Sequence, residues 1–314
     1  MADSQESPAA EHADASHGEG AHHAHNPFDP AHLFAHVQDA TYFEIPKNRY
    51  FPDGHVPLPQ PIQLSTPIFK GYGPIQPLDF KLTKFMVLEV LAALLIAGIF
   101  IWIASKVRGG KPPKGKPWNL FEAMMLFIRD QVARPAIGGH GADKFVPFLW
   151  TLFFFVLINN LLGLIPWLGS ATGALATTAA LAFITFCTVC IAGMFELGPF
   201  GFLKAQVPHM DLPLPLAILL KPMIFAIEIL GMGIKHFVLA VRLLANMMAG
   251  HLVLAVIVGF IAASAGSAAW WGVAPASVFG AVGLSLLELF VAFLQAYIFT
   301  FLSALFIGMA VHPH

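Results

Sequence analysis

Hydrophobic residues in this chain are gathered into long runs that polar residues rarely interrupt. Short stretches rich in proline, glycine and charged residues separate the runs. Each run is long enough to cross a hydrocarbon core of about 30 Å, which takes roughly 20 helical residues. The fold class that this pattern predicts is an all-α polytopic membrane protein. The predicted membrane helices are 85–105, 145–165, 175–194, 223–262 and 276–311.

The last two runs are much longer than a single membrane crossing requires. Neither 223–262 nor 276–311 contains a proline. If each is one helix, their lengths of about 40 and 36 residues correspond to roughly 60 and 54 Å. Both helices must therefore tilt steeply or bend in a bilayer. Trp270 and Trp271 lie between them and suit an interfacial anchor. The pattern predicts a long, steeply tilted hairpin.

Two shorter features also have a helical pattern. In 118–134, apolar residues recur at helical intervals and charged residues interrupt the opposite face. Asn119 and Glu122 have the spacing of a capping box, so we predict a helix that lies along the membrane surface. Asn159 and Asn160 interrupt the second membrane run, and we expect them to form hydrogen bonds between helices.

The residues before the first run predict two further segments. Residues 1–40 are rich in alanine, histidine and acidic residues and should form a disordered external tail. Residues 41–83 contain many prolines, which indicate an extended lead-in to the membrane domain at 84–314. The histidines of the tail could bind zinc or nickel. Because nothing orders them into a tetrahedron, we expect neither a metal site nor a cofactor.

Composition and charge indicate where the chain is located and which classes of partner it can bind. Hydrophobic residues make up 57% of the chain and charged residues 11%, which is typical of a membrane protein. The net charge of −1 suggests no nucleic-acid partner. Five cations follow the first run, so the positive-inside rule places that loop in the cytoplasm, with the amino terminus outside and the carboxyl terminus inside. These cations are Lys106, Arg108, Lys111, Lys114 and Lys116.

The first residues resemble neither a signal peptide nor an Arg-rich, acid-poor transit peptide. This favours a bacterial cell inner membrane. An organelle-encoded chain would also lack a transit peptide, so that location stays open.

Arg242 is the most unusual residue of the membrane runs. Apolar residues continue for many positions on both sides of it, so it does not sit at a helix end from which it could reach water. An arginine in hydrocarbon costs about 2.5–3.5 kcal/mol on insertion scales. Its guanidinium does not deprotonate at ordinary pH. A fixed charge of this kind usually marks an ion pathway.

Lys221, Glu228, Lys235 and Arg242 are each seven residues apart. Seven helical residues return to almost the same face, so these residues form one slowly drifting polar stripe. Asn246 continues the stripe one turn further on. A ladder of salt bridges at a wet surface would explain the two lysines. It would not explain the arginine.

The second arm of the hairpin offers partners for the first. Glu288 and Gln295 share a face there, and His251 lies on the face of the first arm opposite to that of Arg242. In an antiparallel hairpin, the numbers of facing residues add to a constant. Arg242 with Gln295 and His251 with Glu288 give nearly the same total, which centres the turn on Ala269. Pairing Arg242 with Glu288 fits the turn less well but stays open.

The charges of these residues suggest a chemistry. His251 and Glu288 form a titratable pair that can pass protons. Arg242 cannot pass a proton, but it can hold a nearby carboxylate ionised, and Gln295 can accept its hydrogen bond. If Glu288 pairs with His251, Arg242 has no anionic partner within the chain. Glu228 is too distant, about 21 Å along the helix axis. We infer that another protein chain supplies the anion.

The run RLLANMMAGHLVL, which begins at Arg242, resembles the most specific motif of subunit a of F-type ATP synthases, an arginine followed by LxxNxxAG. NLLGLIP at 160–166, VPH at 207–209 and LQAYIF around Gln295 are similar to the same family. The resemblance covers roughly residues 60–310. It implies a stator subunit in the lipid bilayer, beside a ring of c subunits and the b subunits of the peripheral stalk.

In that family the matching arginine faces an essential carboxylate of the ring, so the resemblance implies this role for Arg242. Some relatives carry a carboxylate and a histidine in the reverse order at positions 251 and 288, which fits a functional pair. The chain has no P-loop, so we expect it to translocate protons without forming ATP itself. The resemblance places along the proton path Glu228 and, in the half-channel facing the external side, Asn246, His251, Glu288 and Gln295.

Two other function classes compete with this hypothesis. An ion-coupled secondary transporter would also use buried charges, but it would normally show an inverted repeat or paired broken helices, and the sequence shows neither. A membrane metal-binding protein would use the histidine tail, and a metal titration of the tail would test that role.

Overall fold

The computed structural model describes residues 39–44, 55–60, 82–107, 115–139, 141–165, 168–206 and 214–312, with the side chains of 214–219 excluded. The tail before residue 39, most of the cation-rich loop and the run 207–213 lie outside these ranges. Two short strands precede the helices, β1 (Tyr42–Glu44) and β2 (His55–Pro57). They pair antiparallel, with Phe43 opposite Val56.

Helices form nearly all the remaining regular structure of the described part. In chain order the α-helices are α1 (Lys84–Val107), α2 (Lys116–Phe127), α3 (Arg134–Ile137), α4 (Ala142–Gly163), α5 (Leu175–Leu197), α6 (Pro199–Ala205), α7 (Leu214–Ala263) and α8 (Trp270–Val311). Five of them, α1, α4, α5, α7 and α8, are long and apolar enough to cross a membrane. The predicted all-α polytopic fold, with a hairpin of the last two helices, is confirmed.

The two arms of the hairpin are longer than predicted, because proline does not end them. α7 begins at Leu214 and contains Pro222, and α8 begins at Trp270 and contains Pro275. The predicted starts directly followed these prolines and are therefore wrong. The segment 195–222, which separates two of the predicted membrane helices, is likewise partly helical, since α6 and the start of α7 fall within it. In hydrocarbon, helix is strongly favoured over irregular backbone, so a helix continues through proline and adjusts locally.

The predicted surface helix over 118–134 consists of three consecutive helical pieces. α2 leads into a π-helical stretch, Ile128–Ala133, which continues into α3. The capping-box prediction is wrong. α2 carries Pro117 in its first turn, where the missing N–H costs nothing, and Glu122 accepts a hydrogen bond from Trp118 Nε1 at 3.0 Å instead.

The core lies where α4 packs between α1, α8 and the surface pieces, and α7 packs on α5 and α8 beside it. Only 6% of the most apolar stretch of α7 and 11% of that of α8 is buried, against 50% for α4. One side of the hairpin is therefore left for lipid or another chain to cover. The fully buried core side chains include Ile128, Val132, Leu149, Val156, Leu239, Leu243, Phe299 and Ile307.

A close approach of α8 to α3 gives a first test of the fold. A Cβ on Gly308 would overlap the carbonyl oxygen of Ala136 and lie 3.3 Å from Ile137 Cα. These are backbone atoms, which cannot turn aside as the end of a side chain can. We expect Gly308→Ala to destabilise the protein by about 1–3 kcal/mol, the usual cost of overpacking, and to lower its thermal midpoint in detergent.

Gly283→Ala on the same helix is the matched control for this change. A Cβ at Gly283 meets nothing within 4 Å in the described part of the chain. Alanine is favoured over glycine within a helix by about 0.5–1 kcal/mol, so this variant should be at least as stable as the wild type. Equal midpoints for the two variants would contradict the close packing of α8 on α3.

Candidate functional site

Arg242 lies near the middle of α7, on the side of the helix that the rest of the described chain leaves uncovered. Val238 and Val241 are 47% and 36% exposed there, whereas Leu239 and Leu243 on the opposite side are 1% and 0% exposed. We call Val238, Val241 and Arg242 the exposed flank of α7. Among the described residues, no hydrogen bond or ion pair joins the guanidinium to another group. The flank therefore presents a permanent cation outward.

A hydrogen bond ties the two arms of the hairpin together one turn beyond Arg242. Asn246 Nδ2 donates to Gln295 Oε1 at 2.9 Å, and Gln295 is buried. The hairpin register predicts Gln295 opposite Arg242, but the side chain of Gln295 is hydrogen-bonded to Asn246 instead. The reason is burial, since Gln295 points into the helix interface while Arg242 lies on the exposed flank.

Glu288 reaches across the hairpin to the residue just before His251. Its carboxylate lies against Gly250, where a Cβ would overlap Oε1 and lie 3.0 Å from Cδ. The lack of a side chain at Gly250 thus makes room for the carboxylate. Glu288 Oε1 and His251 Nε2 are both buried and have no hydrogen-bond partner within the described ranges. The hairpin brings the acid and the histidine to nearly the same level, each with a buried polar atom that has no hydrogen-bond partner within the described ranges.

The register of the hairpin is close to the one that the sequence predicts. Nearer the turn, Gly280 faces Ile257, and a Cβ there would lie 3.8 Å from Ile257 Cγ2. Residues 264–269 connect α7 to α8, so the predicted centre of the turn, Ala269, is the last residue of the connection. Gly266 has a φ of +85°, which favours glycine and allows the chain to reverse.

A chain of buried polar groups, which the sequence analysis assigned only in part, connects α4 to α8. Thr172 Oγ1 donates to Asn160 Oδ1 at 2.8 Å and lies 2.9 Å from Ser170 Oγ. Asn160 Nδ2 donates to the carbonyl of Ala292 at 3.4 Å. The predicted interhelical role is therefore confirmed for Asn160. It is wrong for Asn159, whose Nδ2 donates to a carbonyl of its own helix at 2.9 Å.

Glu228 and Lys235 lie nearer the start of α7 than the residues above. Both are exposed, and both line a cavity of about 260 Å³ between α7, α5 and α8. Along α7, Arg242 lies between this cavity and the level of Glu288. The ionisable side chains predicted to carry protons are therefore divided into two groups, one on each side of the arginine.

Comparison with known proteins identifies the family. The sequence model of the ATP synthase A chain family matches residues 86–308. The ATP synthase subunit a of Myxococcus xanthus is 42% identical over 293 residues, which is 88% of this chain and 92% of the relative. That of Chloroherpeton thalassium is 40% identical over 311 residues, or 96% and 85% of the two chains. These matches span most of the membrane helices, and the chain belongs to the ATP synthase subunit a family.

Proposed function

We propose that this chain, within the stator of the membrane sector, provides two proton half-channels separated by Arg242. We further propose that Arg242 faces a carboxylate on a ring of c subunits. The observation that carries the proposal is an arginine on the exposed flank of α7 with no ion-pair partner among the described residues. A guanidinium facing hydrocarbon is costly, and a carboxylate on an adjoining rotor would offset that cost.

The first half-channel uses the groups on the turn side of Arg242. Glu288 and His251 are its titratable members, and the open positions on Oε1 and Nε2 allow each to take or give a proton. Asn246 and Gln295, bonded to each other, continue the polar path toward the arginine. We place the opening of this half-channel on the external side of the membrane.

The second half-channel contains Glu228 and opens on the cytoplasmic side. Its cavity is lined by the end of α6 and by residues near the end of α8, which packs against α3. The pieces α2 and α3 follow the cation-rich loop, which the positive-inside rule places in the cytoplasm. This orientation puts the amino terminus outside and the carboxyl terminus inside.

Charge explains how the two half-channels drive rotation. A proton from the external half-channel neutralises a ring carboxylate, which can then enter lipid. After nearly a full rotation the carboxyl group reaches the cytoplasmic half-channel and releases its proton past Glu228. Arg242 then attracts the carboxylate and, because its charge repels protons, prevents a direct leak between the half-channels.

The proposed partners follow from this mechanism. They are the c-subunit ring, the b subunits of the peripheral stalk and the bilayer of a bacterial inner membrane. ATP would form elsewhere in the complex, so the chain itself is a non-catalytic, proton-translocating subunit.

Disulfide cross-linking tests whether the exposed flank faces the ring. A cysteine is placed on a ring helix one turn from its carboxylate and is combined with Val241→Cys, after Cys187 and Cys190 are replaced by serine. A disulfide requires Cα atoms within about 7 Å. We therefore expect mild oxidation of intact membranes to give a cross-linked product that is visible on a non-reducing gel.

Leu243→Cys is the control, because Leu243 is fully buried against the rest of the chain. It should give no product with the ring cysteine. A product from Leu243→Cys without one from Val241→Cys would refute the proposed orientation of α7. The lack of a product from either position in an assembled complex would refute it too.

A further inference from the structure

His236 lies on α7 between Glu228 and Arg242, and none of the roles proposed above uses it. It is only 4% exposed. Its ring lies between two phenylalanines from different helices, 5.3 Å from the ring of Phe186 on α5 and 4.9 Å from that of Phe306 on α8. This packing holds the imidazole in one orientation.

The hydrogen bonds of His236 define its tautomer. Nδ1 lies 2.9 Å from the carbonyl oxygen of Met232. A carbonyl oxygen can only accept, so Nδ1 carries the hydrogen. In the neutral ring, Nε2 then has a free lone pair. Nε2 is buried and has no hydrogen-bond partner in the described part of the chain, whereas buried polar atoms usually have one.

His236 also lines the cavity that contains Glu228. Glu228 and Lys235 are the charged residues among those that line it, and both lie on α7. The α5, α6 and α8 sides of the cavity contribute uncharged side chains. These are Val189, Ala205, Gln206, Phe306, Met309 and Ala310.

We propose that Nε2 of His236 is a proton relay of the cytoplasmic half-channel, an assignment that rests on the proposed function and adds a residue to it. His236 is eight residues from Glu228 and six from Arg242. These separations correspond to about 12 and 9 Å along the helix axis. The imidazole thus divides a path that a proton would otherwise have to cross through water alone.

The relay step conserves protons. In the pumping direction, a proton that enters past Glu228 is passed from a hydronium ion to Nε2. The new N–H bond forms as an O–H bond breaks, and a water molecule remains. The imidazolium then returns this proton from Nε2, through water, to the ring carboxylate near Arg242. Throughout, Nδ1 keeps its hydrogen, which stays hydrogen-bonded to the carbonyl oxygen of Met232. The ring therefore does not flip, and it returns to the same tautomer.

The test uses the whole ATP synthase in inverted membrane vesicles, in which the cytoplasmic side faces the bath. His236→Gln and His236→Asn keep a polar side chain but cannot titrate, and two variants guard against a folding failure of one. We expect ATP-driven acidification to slow on the order of tenfold, less than the roughly 10²–10⁴-fold of a positioned general acid–base group, because water and Glu228 remain. The slowing should increase as the bath pH is raised from about 6 to about 8, because hydronium becomes scarcer and the variants lack an imidazole that can take up a proton in its place.

Two further variants separate the possible outcomes. His312→Gln, at the exposed end of α8, is the matched histidine control and should pump at the wild-type rate. Arg242→Ala tests the proposed function in the same vesicles. If Arg242→Ala abolishes pumping while the His236 variants keep the wild-type rate, the relay is overturned and the half-channels stand.

A loss in the His236 variants that does not change with bath pH would also overturn the relay, since it would indicate a packing role. If Arg242→Ala pumps normally in an assembled complex, the proposed function fails and the relay fails with it.

Discussion

Arg242→Ala should abolish ATP-driven proton pumping while the complex still assembles. The change removes the cation of the exposed flank that, in the proposed mechanism, attracts the ionised ring carboxylate. Loss of one partner of a buried ion pair costs about 3–5 kcal/mol. Each 1.4 kcal/mol is about tenfold in rate, so we expect pumping to fall by more than about 10²-fold. Fluorescence quenching in inverted vesicles measures pumping, and the amount of purified complex measures assembly.

Two arginine variants serve as controls for this experiment. Arg242→Lys keeps the charge but loses the planar donor fork, so it should retain a reduced rate that is still above that of alanine. Arg129→Ala removes an arginine that pairs with Asp143 at 3.2 Å on the protein surface. Exposed ion pairs contribute at most about 1 kcal/mol, so pumping should not change. Wild-type pumping by an assembled Arg242→Ala complex would refute the role proposed for the arginine.

The second large effect concerns His251 and Glu288. We expect His251→Ala and Glu288→Ala each to lower pumping by about 10²-fold, the lower end of the range for groups that transfer protons. The two side chains lie at nearly the same level of the hairpin, with open positions on Nε2 and Oε1. Because they would act on the same proton, the double variant should be scarcely worse than either single variant.

Exchanging the two residues provides a stricter test of the pair. The double variant His251→Glu with Glu288→His keeps one acid and one imidazole at this level. It should pump faster than either single exchange, which leaves two carboxylates or two histidines. Losses that simply multiply in the double alanine variant, together with no recovery on exchange, would show that the residues act independently.

The sequence alone predicted the membrane helices and much of the hairpin, because hydrophobic length and seven-residue spacing are local properties. The predicted helix starts near Pro222 and Pro275 were wrong. Proline usually ends a helix in water-soluble proteins, but this effect is weaker in hydrocarbon, where irregular backbone is costly. The sequence pattern also placed Gln295 against Arg242, because spacing along two helices does not reveal which side of each is buried.

The residues that sequence analysis missed depend on tertiary contacts. Thr172 and Ser170 form a polar chain with Asn160 only because the loop before α5 folds back onto α4. One sequence signal did point to His236: it is a titratable residue within an apolar helix, eight residues after Glu228. Its open nitrogen and its two aromatic neighbours could be recognised only once α5 and α8 were in place.

The exposed flank of α7 bears on the order in which such a complex is built. A newly inserted chain without its rotor would hold Arg242 toward acyl chains, at a cost of about 2.5–3.5 kcal/mol on insertion scales. In the proposed complex, a ring carboxylate docked beside Arg242 would offset that penalty. If the proposed contact with the ring is correct, the solitary chain is a costly intermediate of biogenesis, and assembly that completes the rotor first or covers the exposed flank in the meantime avoids this cost.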